Sequence, residues 1–183
     1  MSKSIKFLWN TVMNVLLAVI VAFAILLVGV RLVGLRPLVV LSGSMEPTYH
    51  VGSMIYVKSV DPESIEVGDP ITFLINEDLD MATHRVIEID AENQHFYTKG
   101  DANEAADGAP VHFNNLVGKP IFTIPKLGYV SDWVMNPPGM YIAGAGVVIY
   151  LILMFMPDVL KKAEEADRRA EEKKKAQREK IDV

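Results

Sequence analysis

The chain has two long apolar stretches on either side of a polar middle region. Residues Phe7–Val30 contain no charged side chain, and neither do residues Trp133–Pro157, whose most apolar part runs from Met140 to Met156. A helix needs roughly 20 apolar residues to cross the hydrocarbon core of a bilayer. Both stretches therefore predict membrane-spanning helices.

A cleaved secretory signal peptide is the alternative interpretation of the first stretch. Such peptides have an apolar region of about 7–15 residues, followed by a cut site with small residues. The stretch in this chain is longer, and Arg31 and Arg36 follow it. We therefore expect an uncleaved N-terminal anchor.

The pattern of the middle region is typical of β-strands. Several short runs either alternate between apolar and polar residues or are wholly apolar. Ala91–Asn93 are turn-forming residues between two alternating runs, which predicts a hairpin. No amphipathic helix separates the strands, so we expect a small antiparallel barrel or sandwich. The predicted strands are Ile55–Val60, Ile71–Ile75, Thr83–Ile89, His95–Lys99 and Ile121–Ile124.

The distribution of charge predicts an orientation in the membrane. Lys3 and Lys6 precede the first apolar stretch, many Lys and Arg residues follow Pro157, and the region between is acidic. Because basic residues stay on the cytoplasmic side, we expect both termini to be cytoplasmic. The middle region is then extracytoplasmic, or lumenal in a eukaryotic cell, in a multi-pass protein of the cell membrane.

The fold class that follows is a membrane-anchored, mainly β protein. A small antiparallel β domain is flanked by two transmembrane helices and followed by a charged helical tail. Opposite charges four residues apart, such as Lys161 and Glu165, predict the tail helix over Val159–Lys180. We expect four segments: 1–36, a cytoplasmic stub and the first transmembrane helix; 37–137, the extracytoplasmic β domain; 138–157, the second transmembrane helix; and 158–183, the charged cytoplasmic tail.

Composition narrows the possible functions. Hydrophobic residues make up 50% of the chain and the mean hydropathy is +0.23, which favours membrane segments. The net charge is −5 and the middle region contains no basic patch, which argues against nucleic-acid binding. No cysteine is present, so a cysteine nucleophile is excluded, and no spacing matches a zinc or calcium site. We therefore expect neither a metal nor a cofactor.

A candidate nucleophile lies just after the first apolar stretch, in Leu41-Ser-Gly-Ser-Met-Glu-Pro-Thr48. Gly43 permits a sharp turn before Ser44. The Ser44 amide and the Ser42 hydroxyl are candidate donors to an oxyanion. Ser44 is nine residues beyond Leu35, which is near the end of the predicted first span. Because nine residues span at most about 30 Å, Ser44 must lie close to the outer membrane surface. An ordinary Ser/Gly turn is the alternative interpretation.

A hydroxyl nucleophile needs a base, and His84 is our candidate. Histidine titrates near neutrality and can accept a hydroxyl proton. The residues alone do not separate His84 from the other three histidines, His50, His95 and His112. Asp101 and Asp107 lie in a predicted loop, and either could hold the imidazole in one tautomer; a solvated loop is again the alternative.

The ordered set of these motifs resembles signal peptidase I. It is similar to the serine–histidine branch found in archaea, some Gram-positive bacteria and the endoplasmic reticulum. The resemblance runs from the first apolar stretch to about Gly118, and the motifs are highly specific only as a set. They are Ser42–Pro47, Gly68–Asp69, His84–Val86, Lys99–Asn103 and Asp107.

The resemblance implies roles for individual residues. Ser44 corresponds to the nucleophile, Ser42 to the residue that assists the oxyanion hole, and His84 to the position where the ordinary bacterial branch has a lysine base. Asp107 corresponds to the triad acid and Asp101 to a nearby essential carboxylate, a pair that the resemblance does not rank firmly. One departure is Ala102, where the family often has asparagine.

The implied function is that of a membrane-bound serine endopeptidase with an all-β catalytic domain lying on the membrane. It would remove N-terminal signal peptides from exported preproteins, cutting after small residues through an acyl-enzyme. Its partners would be preprotein signal peptides and the lipid bilayer, with secretion machinery or accessory subunits as further candidates. Two alternatives stay open: a Ser–Lys dyad that uses Lys58 or Lys99, and a non-enzymatic envelope or pilus-assembly scaffold.

Overall fold

The computed structural model describes residues 3–76 and 80–179. They form three α-helices, seven strands and three short 3-10 helices at Gly29–Val33, Pro62–Ser64 and Phe113–Asn115. The helices are α1 (Lys3–Leu27), α2 (Leu127–Met135) and α3 (Gly139–Glu179). The strands are β1 (Leu35–Val39), β2 (Met54–Lys58), β3 (Pro70–Leu74), β4 (Met81–Asp90), β5 (His95–Lys99), β6 (Val111–His112) and β7 (Leu116–Ile124).

The seven strands form one antiparallel half-barrel sheet in the order β1-β2-β7-β3-β4-β5-β6. The expectation of a small antiparallel β fold is thereby confirmed. β7 joins the two halves of the sheet, because it pairs with β3 near Gly118 and with β2 from Lys119 onward. Gly118 has φ +152°, and a Cβ there would lie 2.1 Å from the Lys58 carbonyl oxygen, so the strand can pass this point only as glycine.

The predicted strands correspond to β2, β3, β4, β5 and the second part of β7. The hairpin across Ala91–Asn93 is confirmed as the β4–β5 connection. The sequence underestimated β7 because Gly118 and Pro120 are usual strand breakers, yet Pro120 lies at a bulge opposite Val57. β1 was missed because it is an edge strand that contains Pro37, and β6 because two residues are too few to show a pattern.

An apolar cluster attaches the sheet to the end of α1. Leu27 and Val30 pack with Met54 and Tyr56 of β2, and Tyr56 is completely buried. The Tyr56 hydroxyl donates a hydrogen bond of 3.1 Å to the Leu26 carbonyl oxygen. β2 is therefore packed directly against the last turn of α1.

Among the described residues, two helices are long and apolar enough to cross a membrane, judged by length and composition alone. These are Ser4–Leu27 within α1 and Gly139–Lys174 within α3, whose most apolar 18-residue stretches have mean hydropathies of 2.4 and 2.1. α3 belongs to a separate compact unit, residues 136–183. The predicted second span and the predicted tail helix form one continuous helix through Pro157. The predicted end of the tail helix, Lys180, lies outside the described residues.

Candidate active site

A groove of about 760 Å³ lies on the sheet between the chain that leaves β1 and the start of β4. Its polar lining includes Ser42, Ser44, His84 and Asn103, together with Tyr49, Asp80 and Thr83. Much of the remaining lining is apolar and comes from residues 38–41 and from the region around Met81 and Ala82. The groove therefore places two serine hydroxyls and one imidazole beside a surface suited to an extended apolar chain.

The Ser44 loop, residues 40–53 between β1 and β2, is anchored beneath the nucleophile candidate. Met45 and Tyr49 are buried in an apolar cluster with β2, at 2% and 9% exposure. Ser44 itself is half-buried. Its carbonyl oxygen accepts a hydrogen bond of 2.9 Å from the Ala102 amide, which ties this loop to the loop after β5. The Ser44 hydroxyl therefore reaches the groove while its backbone is held in place.

The hydroxyls of Ser42 and Ser44 are hydrogen-bonded at 3.3 Å. Gly43 lies between them, and a turn closes behind them where the Glu46 amide donates to the Gly43 carbonyl oxygen at 3.0 Å. The arrangement brings a second hydroxyl donor next to the Ser44 oxygen. Such a donor has the position needed to bind negative charge that develops beside the nucleophile.

His84 is paired with Asp107. Nδ1 of the imidazole and Oδ2 of the carboxylate are 2.6 Å apart, with side chains 15% and 21% exposed. The ring also packs edge-on against Phe73, at 6.2 Å between ring centroids. With Nδ1 engaged, we assign the Nδ1–H tautomer, which leaves Nε2 as the nitrogen able to accept a proton.

Ser44 and His84 line the same groove. The hydrogen bonds described for residues 3–76 and 80–179 do not include one between the Ser44 hydroxyl and the imidazole. Hydrogen bonds of catalytic groups are often long before substrate binds and shorten in the complex. The structure thus brings the two residues to one groove.

The described hydrogen bonds of the Asp101 side chain are to Arg85 and Thr48. Its carboxylate receives two hydrogen bonds from the Arg85 guanidinium, from Nε at 2.7 Å and from Nη2 at 2.6 Å. Thr48 of the Ser44 loop donates to the same carboxylate at 2.5 Å. Arg85 Nη1 also donates to the Gly68 carbonyl oxygen at 2.7 Å. These contacts connect β4, the Ser44 loop and the loop after β5 through one ion pair.

The electrostatics of this ion pair follow from the contacts. The hydrogen bonds from Arg85 hold the pKa of Asp101 below its ordinary value of 3.8, although burial acts in the opposite direction, and Thr48 lowers the pKa further. The hydrogen bond to Asp101 raises the pKa of Arg85. Burial raises the pKa of the nearby Tyr49 phenol. Arg85 and Asp101 therefore stay charged together.

The other candidate bases lie elsewhere. His50 pairs with Glu46 at 2.5 Å and its side chain is 64% exposed. His95 and His112 pack against each other at 5.1 Å between ring centroids, on β5 and β6. Lys58 and Lys99 are not among the residues that line the groove. Of the four histidines, His84 is the one that the fold places beside Ser44.

Sequence reasoning missed three residues of the site: Thr48, Arg85 and Thr98. Thr98 is buried in β5 and donates to Asp107 Oδ2 at 2.6 Å. Arg85 stood next to His84 in a recognised motif, but only the strand pairing shows that it holds Asp101.

The Gly68–Asp69 motif extends the β3–β4 pairing, since the Gly68 amide donates to the Val86 carbonyl oxygen and the Val86 amide donates to that of Asp69. Within the described residues, no three His, Asp or Glu side chains converge as metal ligands.

A serine, a histidine and a carboxylate gathered on a mainly β domain are typical of serine hydrolases. The family model for signal peptidase, peptidase S26, matches residues 10–102. The chain belongs to that family. The match ends before Asp107, and the hydrogen bond between Asp107 and His84 is seen in the structure.

Three relatives illustrate the breadth of the family. Signal peptidase I W of Bacillus subtilis (strain 168) is 38% identical over 122 residues, covering 61% of this chain and 63% of that protein. The signal peptidase complex catalytic subunit SEC11 of Zygosaccharomyces rouxii is 32% identical over 108 residues, covering 52% and 64%. SEC11C of Rattus norvegicus is 32% identical over 127 residues, covering 63% and 66%. The chain thus spans about two thirds of the length of the curated relatives it matches.

Gly100 lets the loop after β5 approach the Ser44 backbone, which gives the first prediction. A Cβ at Gly100 would lie 2.6 Å from the Ser44 carbonyl oxygen. Gly100→Ala should push the loop away from Ser44 and reduce peptidase activity about 100-fold, since small misplacements of reacting groups have effects of that order. Gly108→Ala is the matched control, because a Cβ there meets nothing within 4 Å. Equal activities of the two variants would contradict the predicted close approach.

The Arg85–Asp101 pair predicts a pH-dependent loss of stability in Asp101→Asn. The folded pKa of Asp101 is below 3.8, so the carboxylate stabilises the fold above that pH and loses this effect as pH falls through the folded pKa. Thermal unfolding should show the variant less stable by about 2 kcal/mol at pH 7. The difference from wild type should shrink below about pH 4. Glu63→Gln, on an exposed turn, is the control, and a difference that is constant with pH would contradict the assignment.

Proposed function

We propose that this chain is a membrane-bound serine endopeptidase that removes N-terminal signal peptides from exported preproteins. Ser44 is the nucleophile, His84 the general base and Asp107 the acid that holds the imidazole. The observation that carries the proposal is the His84–Asp107 pair, 2.6 Å long, in the same groove as Ser44 and Ser42. Membership in the signal peptidase family supports the choice of substrate.

The mechanism follows from the atoms at the site. The Ser44 oxygen attacks the carbonyl carbon of the scissile peptide while Nε2 of His84 takes the hydroxyl proton. The imidazolium then gives that proton to the leaving amine as the C–N bond breaks, which leaves an ester on Ser44. Water, deprotonated by His84, hydrolyses the ester and releases the signal peptide with a new carboxylate. No step requires a metal or a nucleotide.

Charge on the carbonyl oxygen needs donors near Ser44. The Ser42 hydroxyl, 3.3 Å from the Ser44 hydroxyl, and the Ser44 amide are the candidates. When substrate binds, the Ser42 hydroxyl can turn from its partner to the oxyanion. Preorganised donors of this kind contribute about 10²–10³-fold to the rate in serine proteases.

Asp107 is preferred over Asp101 as the triad acid because of their partners. Asp107 accepts from Nδ1 of His84, whereas Asp101 accepts from Arg85 and Thr48. A carboxylate already neutralised by a guanidinium stabilises an imidazolium poorly. We assign Asp101 the task of holding the Ser44 loop and Arg85 together.

The positions of the lysines favour the histidine mechanism over a Ser–Lys dyad. Lys58 is exposed at the far end of β2 from the groove, opposite Leu35 of β1. Lys99 is opposite Arg85 in the β4–β5 pairing, so its side chain lies on the other face of the sheet from Thr98 and His84.

The site also favours an enzyme over a purely structural scaffold. A scaffold does not require a hydrogen-bonded imidazole and carboxylate beside a half-buried serine in an open groove.

The lining of the groove fits an extended peptide. Residues 38–41 continue from β1 along one side, and residues 81–84 at the start of β4 lie along the other. A substrate strand could hydrogen-bond to such backbone segments by β-addition, with its apolar side chains against the groove. Cleavage after small residues would follow from shallow contacts next to Ser44.

We propose that α1 and the apolar part of α3 span the membrane, with the β domain outside and both termini in the cytoplasm. The four segments are 1–36, 37–137, 138–157 and 158–183. Support comes from the exposed apolar side chains of α1 and from the packing of β2 against its last turn. The groove begins at Leu38, shortly after that turn, so the cut site of a membrane-inserted signal peptide would lie within reach.

Partners beyond the preprotein form part of the same proposal. The relatives named SEC11 and SEC11C are described as catalytic subunits of a signal peptidase complex. Signal peptidase I W carries no such description. We propose that secretion machinery or accessory subunits contact this chain outside the groove.

Ser44→Ala tests the proposed nucleophile. Purified protein in lipid vesicles should cleave a model preprotein, and the variant should lose cleavage by about 10⁴-fold or more. His84→Ala should show a comparable loss. Ser59→Ala, at an exposed position after β2, is the matched control and should retain full activity.

Two outcomes would contradict this assignment. Normal cleavage by Ser44→Ala would exclude Ser44 as the nucleophile. An active His84→Ala protein together with an inactive Lys58→Ala protein would transfer the base to a lysine. Each variant should first be shown to insert in the vesicles, so that lost cleavage is separated from lost insertion.

The proposed topology can be tested with single cysteines, because the chain contains none. Glu63→Cys lies in the β domain and Asp167→Cys in the exposed charged part of α3. A membrane-impermeant maleimide should label the first variant in intact cells and the second only after permeabilisation. Labelling of Asp167→Cys in intact cells would contradict a cytoplasmic tail.

A further inference from the structure

Thr98 holds Asp107 through two contacts. Its hydroxyl donates to Asp107 Oδ2 at 2.6 Å, and its carbonyl oxygen accepts from the Asp107 amide at 2.9 Å. One contact fixes the carboxylate and the other fixes the backbone that carries it. Thr98 is only 1% exposed, so its hydroxyl makes this bond away from solvent.

The oxygen that Thr98 contacts is the one that His84 uses. Oδ2 accepts both from Nδ1 of the imidazole and from the threonine hydroxyl, each at 2.6 Å. In the β4–β5 pairing Thr98 lies opposite Val86, two residues along β4 from His84 and on the same face. The hydroxyl and the imidazole therefore approach one oxygen from neighbouring strands.

Asp107 needs such support because it is not on a strand. It lies in the loop between β5 and β6, where turns and bends surround it. A loop side chain is held less accurately than one on a sheet unless neighbouring groups restrict its rotamer. Threonine is well suited to that task, since branching at Cβ restricts χ1 and its strand is part of the core.

We infer that Thr98 is a positioning residue that keeps the Asp107 carboxylate on Nδ1 of His84. It does not touch the reacting atoms and acts through Asp107. The inference rests on the proposed function, in which the His84–Asp107 pair serves Ser44. Its effect should therefore appear in the chemical step and not in substrate binding.

Thr98→Val removes the hydroxyl with little change of shape, and Thr98→Ser retains it. For the full chain in vesicles we expect Thr98→Val to lower kcat about tenfold, in line with the loss of a hydrogen bond to a charged group. KM should not change, and the acid limb of the pH profile of kcat/KM should move to lower pH because the imidazolium loses an aligned carboxylate. Thr98→Ser should recover most of the wild-type rate.

Thr123→Val provides the matched control. Its hydroxyl donates to the Met54 carbonyl oxygen at 3.2 Å, on β7 and outside the residues that line the groove. The control should leave kcat and the pH profile unchanged. Thermal midpoints of all three variants show whether each protein is folded. A loss of kcat that is equal in Thr98→Ser and Thr98→Val would overturn the inference, since the hydroxyl would not be its cause.

A measurement without substrate separates this inference from the proposed function. The Nδ1–H proton of His84, identified in ¹⁵N-histidine-labelled protein by its absence in His84→Gln, should resonate at low field and move upfield in Thr98→Val. An unmoved signal would overturn the inference, and so would a further downfield shift, because the hydroxyl would then compete with the imidazole for Oδ2. If the upfield shift appeared while Ser44→Ala still cleaved preprotein, the proposed function would fail and the positioning role would stand.

Discussion

Neighbouring residues of a β-strand point to opposite faces, and the site depends on that constraint at two consecutive positions of β4. His84 faces Asp107, while Arg85 faces Asp101. One strand thus sets the imidazole and also the ion pair that ties the Ser44 loop to the sheet. A shift of one residue in the β3–β4 register would exchange the two side chains and separate both pairs.

A nucleophile of the kind proposed for Ser44 must be accessible, which limits how many contacts can hold it. The fold places those contacts behind Ser44. Met45 and Tyr49 are buried beneath the Ser44 loop, and the Ala102 amide binds the Ser44 carbonyl oxygen. Gly100 makes that approach possible because any side chain there would collide with the Ser44 backbone. Rigidity in this site comes from the backbone and the core, so the hydroxyl can remain open to a substrate.

The same sheet links the chemistry to the proposed membrane anchor. Tyr56 of β2 is buried against the last turn of α1 and bonds to the Leu26 carbonyl oxygen. β1 begins a few residues after that turn, and the groove begins within β1. For a peptidase of the signal peptidase family, this short connection would keep the nucleophile near the surface where a signal peptide leaves the bilayer.

Some of this protein was determined by its sequence alone. Three features are local patterns: the uncharged length of Phe7–Val30, the alternation in His95–Lys99 and the hairpin turn at Ala91–Asn93. Local patterns can be recognised in a sequence before the fold is known. The ordered motifs around Ser44 and His84 indicated the family for the same reason. The predicted strand Ile121–Ile124 began too late, because the pairing of β7 with two different strands overrides the usual effect of the strand breakers Gly118 and Pro120.

Only the tertiary structure decided which groups are partners. The sequence could not rank Asp101 and Asp107 or choose among four histidines, because those choices depend on contacts between residues far apart in the chain. Strand pairing brings Asp107 and Thr98 to His84, and gives Asp101 to Arg85 and Thr48. Hydrogen bonds act over about 3 Å, and no pattern of residue types along a chain specifies distances of that size.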